Sequence, residues 1–135
     1  SSDVCSSDLQ GGSAYVYLCY GIHHLFNVVV LDADVPHAVL IRAVVPVEGL
    51  DVMQHRRPQA RTSTGGPGTL TQALGIRTTH NGEDLTGHRI WIEDRGIKIP
   101  ARAILTGPRI GVEYAGEDAH LPYRYRIAPS HPVKT

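Results

Sequence analysis

Tyr15, Tyr17 and Tyr20 fall within six residues and supply three of only eight aromatic side chains in the 135-residue sequence, which holds six Tyr, one Trp and one Phe. Planar rings gathered at one place can stack on nucleobases, and a side chain at a turn can be driven between base steps. On a strand Tyr15 and Tyr17 share a face, because side chains alternate, whereas Tyr20 falls in the turn-like stretch Tyr20-Gly21-Ile22-His23 and projects away from the sheet. Ordinary core tyrosines are the competing reading, and composition alone favours it. Asn27 interrupts the apolar run from Leu25 to Val30, where an amide must find hydrogen-bond partners or face a pocket. A water-satisfied edge position explains it equally. Arg42 interrupts the run from Ala38 to Val45 in the same way, suited to a phosphate or carboxylate and equally to a structural salt bridge.

The other polar clusters point to bland roles. His55-Arg56-Arg57 with Arg61 is the densest basic cluster, and a solvated surface is its first reading, with phosphate contact second. His23, His24 and His37 do not have metal-ligand spacing, since adjacent histidines on a strand point to opposite faces; no metal site is expected. Glu83-Asp84 and Glu93-Asp94 flank glycine turns, where carboxylates serve turn chemistry, so neither pair is assigned acid or base work.

These residues must be positioned by short elements. Ala14 to Cys19 and the run from Leu25 read as a β-hairpin with Tyr20 at its tip. Asp32 to Pro36 then supplies a turn and Ala38 to Val45 a third strand ended by Pro46, giving an antiparallel meander. Leu50 to Arg57 predicts a short helix, and Pro58 to Gly66 a loop. A second helix starts at Pro67, carries the stripe Leu70, Ala73 and Leu74, and is closed by Gly75. Arg89 to Glu93, Ile97 to Ile99, Arg109 to Tyr114 and Tyr123 to Ile127 are further strand candidates. The expected class is α+β, a single domain rich in β-structure and without internal repeats.

Composition narrows the function classes. Thirteen Lys and Arg balance thirteen Asp and Glu, so no global field draws the chain to a polyanion, and any nucleic-acid contact must be local. At 41% apolar residues a packed core is expected, while no apolar run is long enough to span a bilayer. Two cysteines, Cys5 and Cys19, are too few for a disulfide framework. Residues 1–10 repeat Ser-Ser-Asp without strand or helix period and read as a tail foreign to the domain, which is expected over residues 11–135.

The stretch Tyr15-Val16-Tyr17-Leu18-Cys19-Tyr20-Gly21-Ile22-His23-His24-Leu25-Phe26-Asn27-Val28 resembles the signature of the alkyladenine (3-methyladenine) DNA glycosylase family. The likeness continues in order through Val39 to Ala43, Gly66-Pro67-Gly68, Gln72 to Ile76, Asn81-Gly82-Glu83-Asp84-Leu85, Ile90 to Asp94, Pro108 to Val112 and Tyr114 to Glu117. It implies a compact α+β domain, a curved and mostly antiparallel sheet with flanking helices, similar to the C-terminal domain of methionyl-tRNA formyltransferase. It further implies hydrolysis of the N-glycosidic bond of a damaged purine flipped out of duplex DNA, with no cofactor and no strand cleavage.

Residue by residue, the resemblance makes Tyr17 the platform that stacks on the flipped base and Tyr20 the side chain that fills the gap in the duplex. Asn27 excludes normal guanine, Arg42 lies near the DNA backbone, and Ile110 and Gly111 lie close to the extruded nucleotide. The family's catalytic glutamate precedes the Tyr-Val-Tyr hairpin, and no residue of this chain matches it; the resemblance therefore covers the C-terminal two-thirds of the family's domain. Thr69 and Gly65 depart from the family's usual lysine and asparagine. Double-stranded DNA holding damaged purines is the expected partner, a monomer the expected state when complete, and an intracellular, DNA-associated location follows. The chain alone is expected to be poorly stable and inactive. A non-catalytic nucleic-acid-binding module is the alternative reading.

Overall fold

The computed structural model describes residues 9–32, 35–57, 64–110 and 121–128. They fall into two compact units divided between Glu93 and Asp94. In the first, β1 (Ala14–Cys19), β2 (His23–Asp32) and β3 (Val35–Leu40) form an antiparallel sheet in the order β1-β2-β3, followed by α1 (Leu50–Arg56) and α2 (Pro67–Leu74). In the second, β4 (Ile104–Gly107) pairs antiparallel with β5 (Arg124–Ile127). The α+β class with antiparallel sheets is as expected.

The β1-β2 register sets Ala14 against Val28, Tyr15 against Asn27, Val16 against Phe26 and Tyr17 against Leu25. Alternation therefore sends Ala14, Val16, Phe26 and Val28 to one face and Tyr15, Tyr17, Leu25 and Asn27 to the other. The first set makes the core with Ile76 and Leu85, against which Ile41, Leu74 and Ile90 pack.

Helix α2 is fixed at both ends by sequence. Pro67 stands in its first turn, where a missing N–H costs nothing, and Gly75 ends it at φ 72. It buries Leu70, Thr71 and Ala73. Thr71, absent from the apolar stripe expected of this helix, is held in the interior because its hydroxyl bonds the carbonyls of His24 at 2.7 Å and Gly68 at 3.0 Å. The Arg56 guanidinium of α1 donates to the Ala73 carbonyl at 3.0 Å, satisfying an acceptor that a helix C-terminus leaves open.

A Cβ on Gly75 would lie 2.9 Å from the Arg56 guanidinium carbon, in a left-handed backbone that L-residues resist. Gly75→Ala is therefore expected to cost about 1–2 kcal/mol, read as a lower urea midpoint at unchanged slope.

Four expectations for strands are corrected in whole or in part. The third strand runs Val35–Leu40 rather than Ala38 to Val45, and the expected turn at Asp32 to Pro36 is largely consumed by strand pairing. Pro36 is tolerated because β3 is an edge of the sheet. Beyond Ile41, whose N–H still bonds the Phe26 carbonyl at 3.0 Å, the chain leaves the ladder. Val44 instead donates to the Thr64 carbonyl and accepts from the Thr64 hydroxyl, so the loop before α2 takes over the bonding that β2 would have supplied.

Arg89 to Glu93 forms no strand either; Trp91 makes one isolated bridge to Thr86, and the Ile92 N–H bonds Leu85. Ile97 to Ile99 is not strand, and Arg109 and Ile110 lie outside any strand, while residues 111–114 of that candidate fall outside the described residues. The unforeseen strand is β4, whose four residues are too few to show a period and which exists through its register with β5.

The turn after the core is held by Asp84. Its carboxylate accepts the Thr86 hydroxyl at 2.6 Å and the Thr86 N–H at 2.9 Å, and these bonds hold its pKa below the ordinary 3.8. A depressed carboxylate stabilises the fold fully above pH 3.8 and loses that contribution as pH falls through the lower folded value. A carbon-detected NMR titration is expected to show Asp84 midway below 3.8, and Thr86→Ala to bring it back up.

Candidate nucleic-acid interface

The hairpin tip is built from a three-residue connection. Tyr20 has φ 53 and Gly21 φ 71, and the Ile22 N–H returns to the Cys19 carbonyl at 3.1 Å. Two successive left-handed residues closed by this bond make a type I′-like turn, whose twist matches the strands it joins. Glycine adopts such a φ freely; tyrosine does not. Tyr20 is 92% exposed and Ile22 70%, so the most solvent-accessible apolar groups of the hairpin stand together at its end. The core reading of Tyr20 is thereby excluded.

Tyr15 and Tyr17 lie behind the tip on the face opposite Val16 and Phe26, with ring centroids 5.2 Å apart and planes inclined by 36°. This is the tilted geometry that the ring quadrupole favours over a face-to-face stack. Tyr17 remains 37% exposed, while Tyr15 is half-buried. Asn27 sits directly across from Tyr15, is only 4% exposed, and donates its side-chain amide to the Tyr15 carbonyl at 3.2 Å. The sheet diagonal separates Tyr17 from Asn27 by roughly 7–8 Å, so a ring on one and an amide on the other border one patch of the same face.

The tip end of β2, next to the turn, is locked to α2. Besides the bond from Thr71 to the His24 carbonyl, the His24 Nδ1 accepts the Thr78 N–H at 3.1 Å. Gly68 packs so closely on His23 that an added Cβ would lie 2.8 Å from its Nδ1. Between the tip end of β2 and α2 opens a cleft of about 450 Å³, lined by His23, His24, Arg56, Gln72 and Arg77 among others. Arg57 also reaches this helix, donating to the Gln72 side chain at 3.3 Å. Two of the arginines in the expected basic cluster thus hold the two helices together as well as presenting charge; Arg61 lies outside the described residues.

Of the sequence-expected site residues, the first unit brings Tyr17, Tyr20 and Asn27 onto one hairpin. Arg42 is half-buried just beyond β3, off the strand on which it was expected, and no described ion pair engages it. Ile110 belongs to the second unit and is 57% exposed. Gly111 lies outside the described residues. In the second unit the Arg109 guanidinium rests over the Tyr123 ring at 5.3 Å. Sequence reasoning missed the anchors His24 and Thr71, because their bonds join residues 47 and 54 positions apart.

Several carboxylates are committed to structural partners. Glu83 pairs with Arg89 at 3.2 Å, Asp84 holds the Thr86 turn, and Asp94 accepts the Gly96 N–H at 2.8 Å. Among the described residues no group of three or more His, Cys, Asp or Glu is placed to hold a metal ion, and no helix is long and apolar enough to cross a membrane.

The methylpurine-DNA glycosylase family model matches residues 9–131. A curated protein of Chlamydia felis, provisionally named a 3-methyladenine DNA glycosylase, is 44% identical over 122 residues, which cover 87% of this chain and 61% of the relative. A provisionally so named protein of Anaeromyxobacter dehalogenans strain 2CP-C is 46% identical over 120 residues, 88% of this chain and 52% of its own length. One from Chlorobaculum tepidum is 40% identical over 131 residues, 91% of this chain and 62% of its own length. The chain thus spans between half and two-thirds of the length of these relatives. With the family model covering both structural units, the chain belongs to the methylpurine-DNA glycosylase family.

Proposed function

We propose that this chain is the lesion-reading part of a base-excision DNA glycosylase, with residues 11–135 forming the C-terminal two-thirds of the domain. The observation that carries the proposal is the hairpin: a tyrosine 92% exposed at a left-handed tip, with two tyrosines and a buried asparagine aligned behind it on one face. An exposed ring at a rigid tip can enter a base stack and hold open the gap left by an extruded nucleotide. Tyr17 then stacks on the extruded base, and Asn27, held by the Tyr15 carbonyl, meets its edge. Flipping costs a few kcal/mol and least for a base that already pairs badly, so alkylated or deaminated purines are favoured before they reach the pocket.

The cleft beside the hairpin tip, lined by Arg56 and Arg77, offers the strand next to the wedge local phosphate contacts, which a chain of zero formal net charge needs. Arg42 and the segment at Ile110 and Gly111 are assigned to the DNA backbone and the extruded nucleotide. Hydrolysis of the N-glycosidic bond requires a base to activate water. The family resemblance assigns that base to a glutamate that no residue of these 135 matches, and Glu83, Asp84 and Asp94 serve structural partners instead.

A duplex carrying one hypoxanthine tests this. The chain as it stands is expected to release no base, whereas a form extended to the length of its relatives releases hypoxanthine and leaves an abasic site without strand cleavage. Release by the 135-residue chain alone, or none by the extended form, contradicts the assignment.

A further inference from the structure

Among the described residues no strand pairs with the outer edge of β1; the segment from His80 to Leu85 covers it instead. Ala14 donates to the Glu83 carbonyl at 2.8 Å and accepts the Gly82 N–H at 2.8 Å, and Leu85 donates to the Gly12 carbonyl at 2.9 Å. The Ser13 and Asp84 backbones form an isolated antiparallel bridge. The backbone coverage ends there. The next N–H of β1 on that edge, Val16, is taken by a side chain: Asn81 Oδ1 accepts it at 2.9 Å across 65 positions of sequence. Asn81 is half-buried, and Val16, 1% exposed, lies between Tyr15 and Tyr17 with its own side chain in the core.

We propose that Asn81 is a positioning residue for the base platform, acting through the Val16 amide to fix the stretch of β1 that carries Tyr17. This rests on the reading of Tyr17 as the platform. Among the hydrogen bonds of the described residues to the outer edge of β1, that of Asn81 is the one nearest the wedge-bearing tip. β2 holds the inner edge of Tyr15 to Cys19, and without Asn81 the outer edge is held only as far as Ala14. A strand gripped on one edge retains its register but gains freedom to twist, and the Tyr17 ring moves with it. The requirement is for an acceptor: a carboxamide or carboxylate oxygen serves, a methyl group does not.

The test uses the whole chain and two duplexes, one holding hypoxanthine and one undamaged, with hydrogen exchange of the Val16 amide read by NMR. Asn81→Ala is expected to speed Val16 exchange and to lower the ratio of lesion to undamaged affinity about two- to tenfold, the worth of one net hydrogen bond. Asn81→Asp keeps the acceptor and is expected to restore both readouts. An Asn81→Ala chain with fast Val16 exchange and an unchanged ratio overturns the assignment. So does a folded Asn81→Asp chain that protects Val16 yet loses the ratio, which remains informative if the alanine variant does not fold. Absence of any lesion preference in the unaltered chain is a separate result: it removes the platform reading itself, and the assignment of Asn81 falls with it.

Discussion

Tyr20→Ala is expected to weaken binding to a hypoxanthine-containing duplex by about 1–3 kcal/mol, or roughly five- to 150-fold, the measured worth of one aromatic stack on a base. The same change is expected to leave stability within about 0.5 kcal/mol, because surface substitutions away from packed features rarely do more. The ring is 92% exposed and has almost no packing to lose. Its left-handed φ of 53 is no easier for alanine than for tyrosine, so the backbone cost cancels in the comparison. Tyr20→Phe retains the planar surface and should bind nearly as the unaltered chain. Equal losses in binding and in melting temperature would mean that the tyrosine serves the fold; equal affinities would mean that it serves nothing at this interface.

Leu70→Ala is expected to be the most damaging single truncation for stability, at about 2–5 kcal/mol. Leu70 is 0% exposed and, among the described residues, the largest of the fully buried side chains. Its removal loses the transfer energy of three carbons and leaves a cavity that a short helix pinned at both ends cannot readily close. Against a typical total of about 5–15 kcal/mol, a loss of that size leaves a substantial unfolded fraction. It also reaches the interface. Helix α2 holds the tip end of β2 through Thr71 and His24, so loosening the helix also loosens the support of the Tyr20 turn. Leu70→Met, which conserves volume, is expected to cost less than about 1.5 kcal/mol. Chemical denaturation of the two variants side by side separates the cavity effect from any general intolerance of substitution.

What could be read from the sequence was what local chemistry dictates. The hairpin followed from two β-rich runs around a glycine-bearing turn, and α2 from Pro67 at its start and Gly75 at its end. Alternation alone placed Tyr15 and Tyr17 on one face, and the register confirms it. What could not be read depends on distant partners. Val44 and Val45 have strand-like chemistry, but Thr64 lies closer to hand than β2, so the third strand stops at Leu40. Arg89 to Glu93 has the composition of a strand and finds only one bridge, at Trp91. Arg56 looks like surface charge until the Ala73 carbonyl is seen beneath it. Asn81, in an Asn-Gly pair that reads as ordinary turn chemistry, reaches an amide 65 residues away.

The burial of Asn27 shows the same boundary from the other side. Sequence identified an amide in an apolar run and left open whether it was buried or wet. The structure makes it 4% exposed with its amide donated to the Tyr15 carbonyl. That bond fixes the amide relative to the strand that carries Tyr17, which is the arrangement needed for an edge-reading group beside a stacking platform.

The most direct measurement is a titration of this chain against two duplexes identical except for a single hypoxanthine, at one fixed salt concentration. Lesion recognition by the Tyr17, Tyr20 and Asn27 hairpin predicts tighter binding to the hypoxanthine duplex by about tenfold or more, equivalent to about 1.4 kcal/mol, and loss of that difference in Tyr20→Ala. Equal affinity for the two duplexes would contradict it.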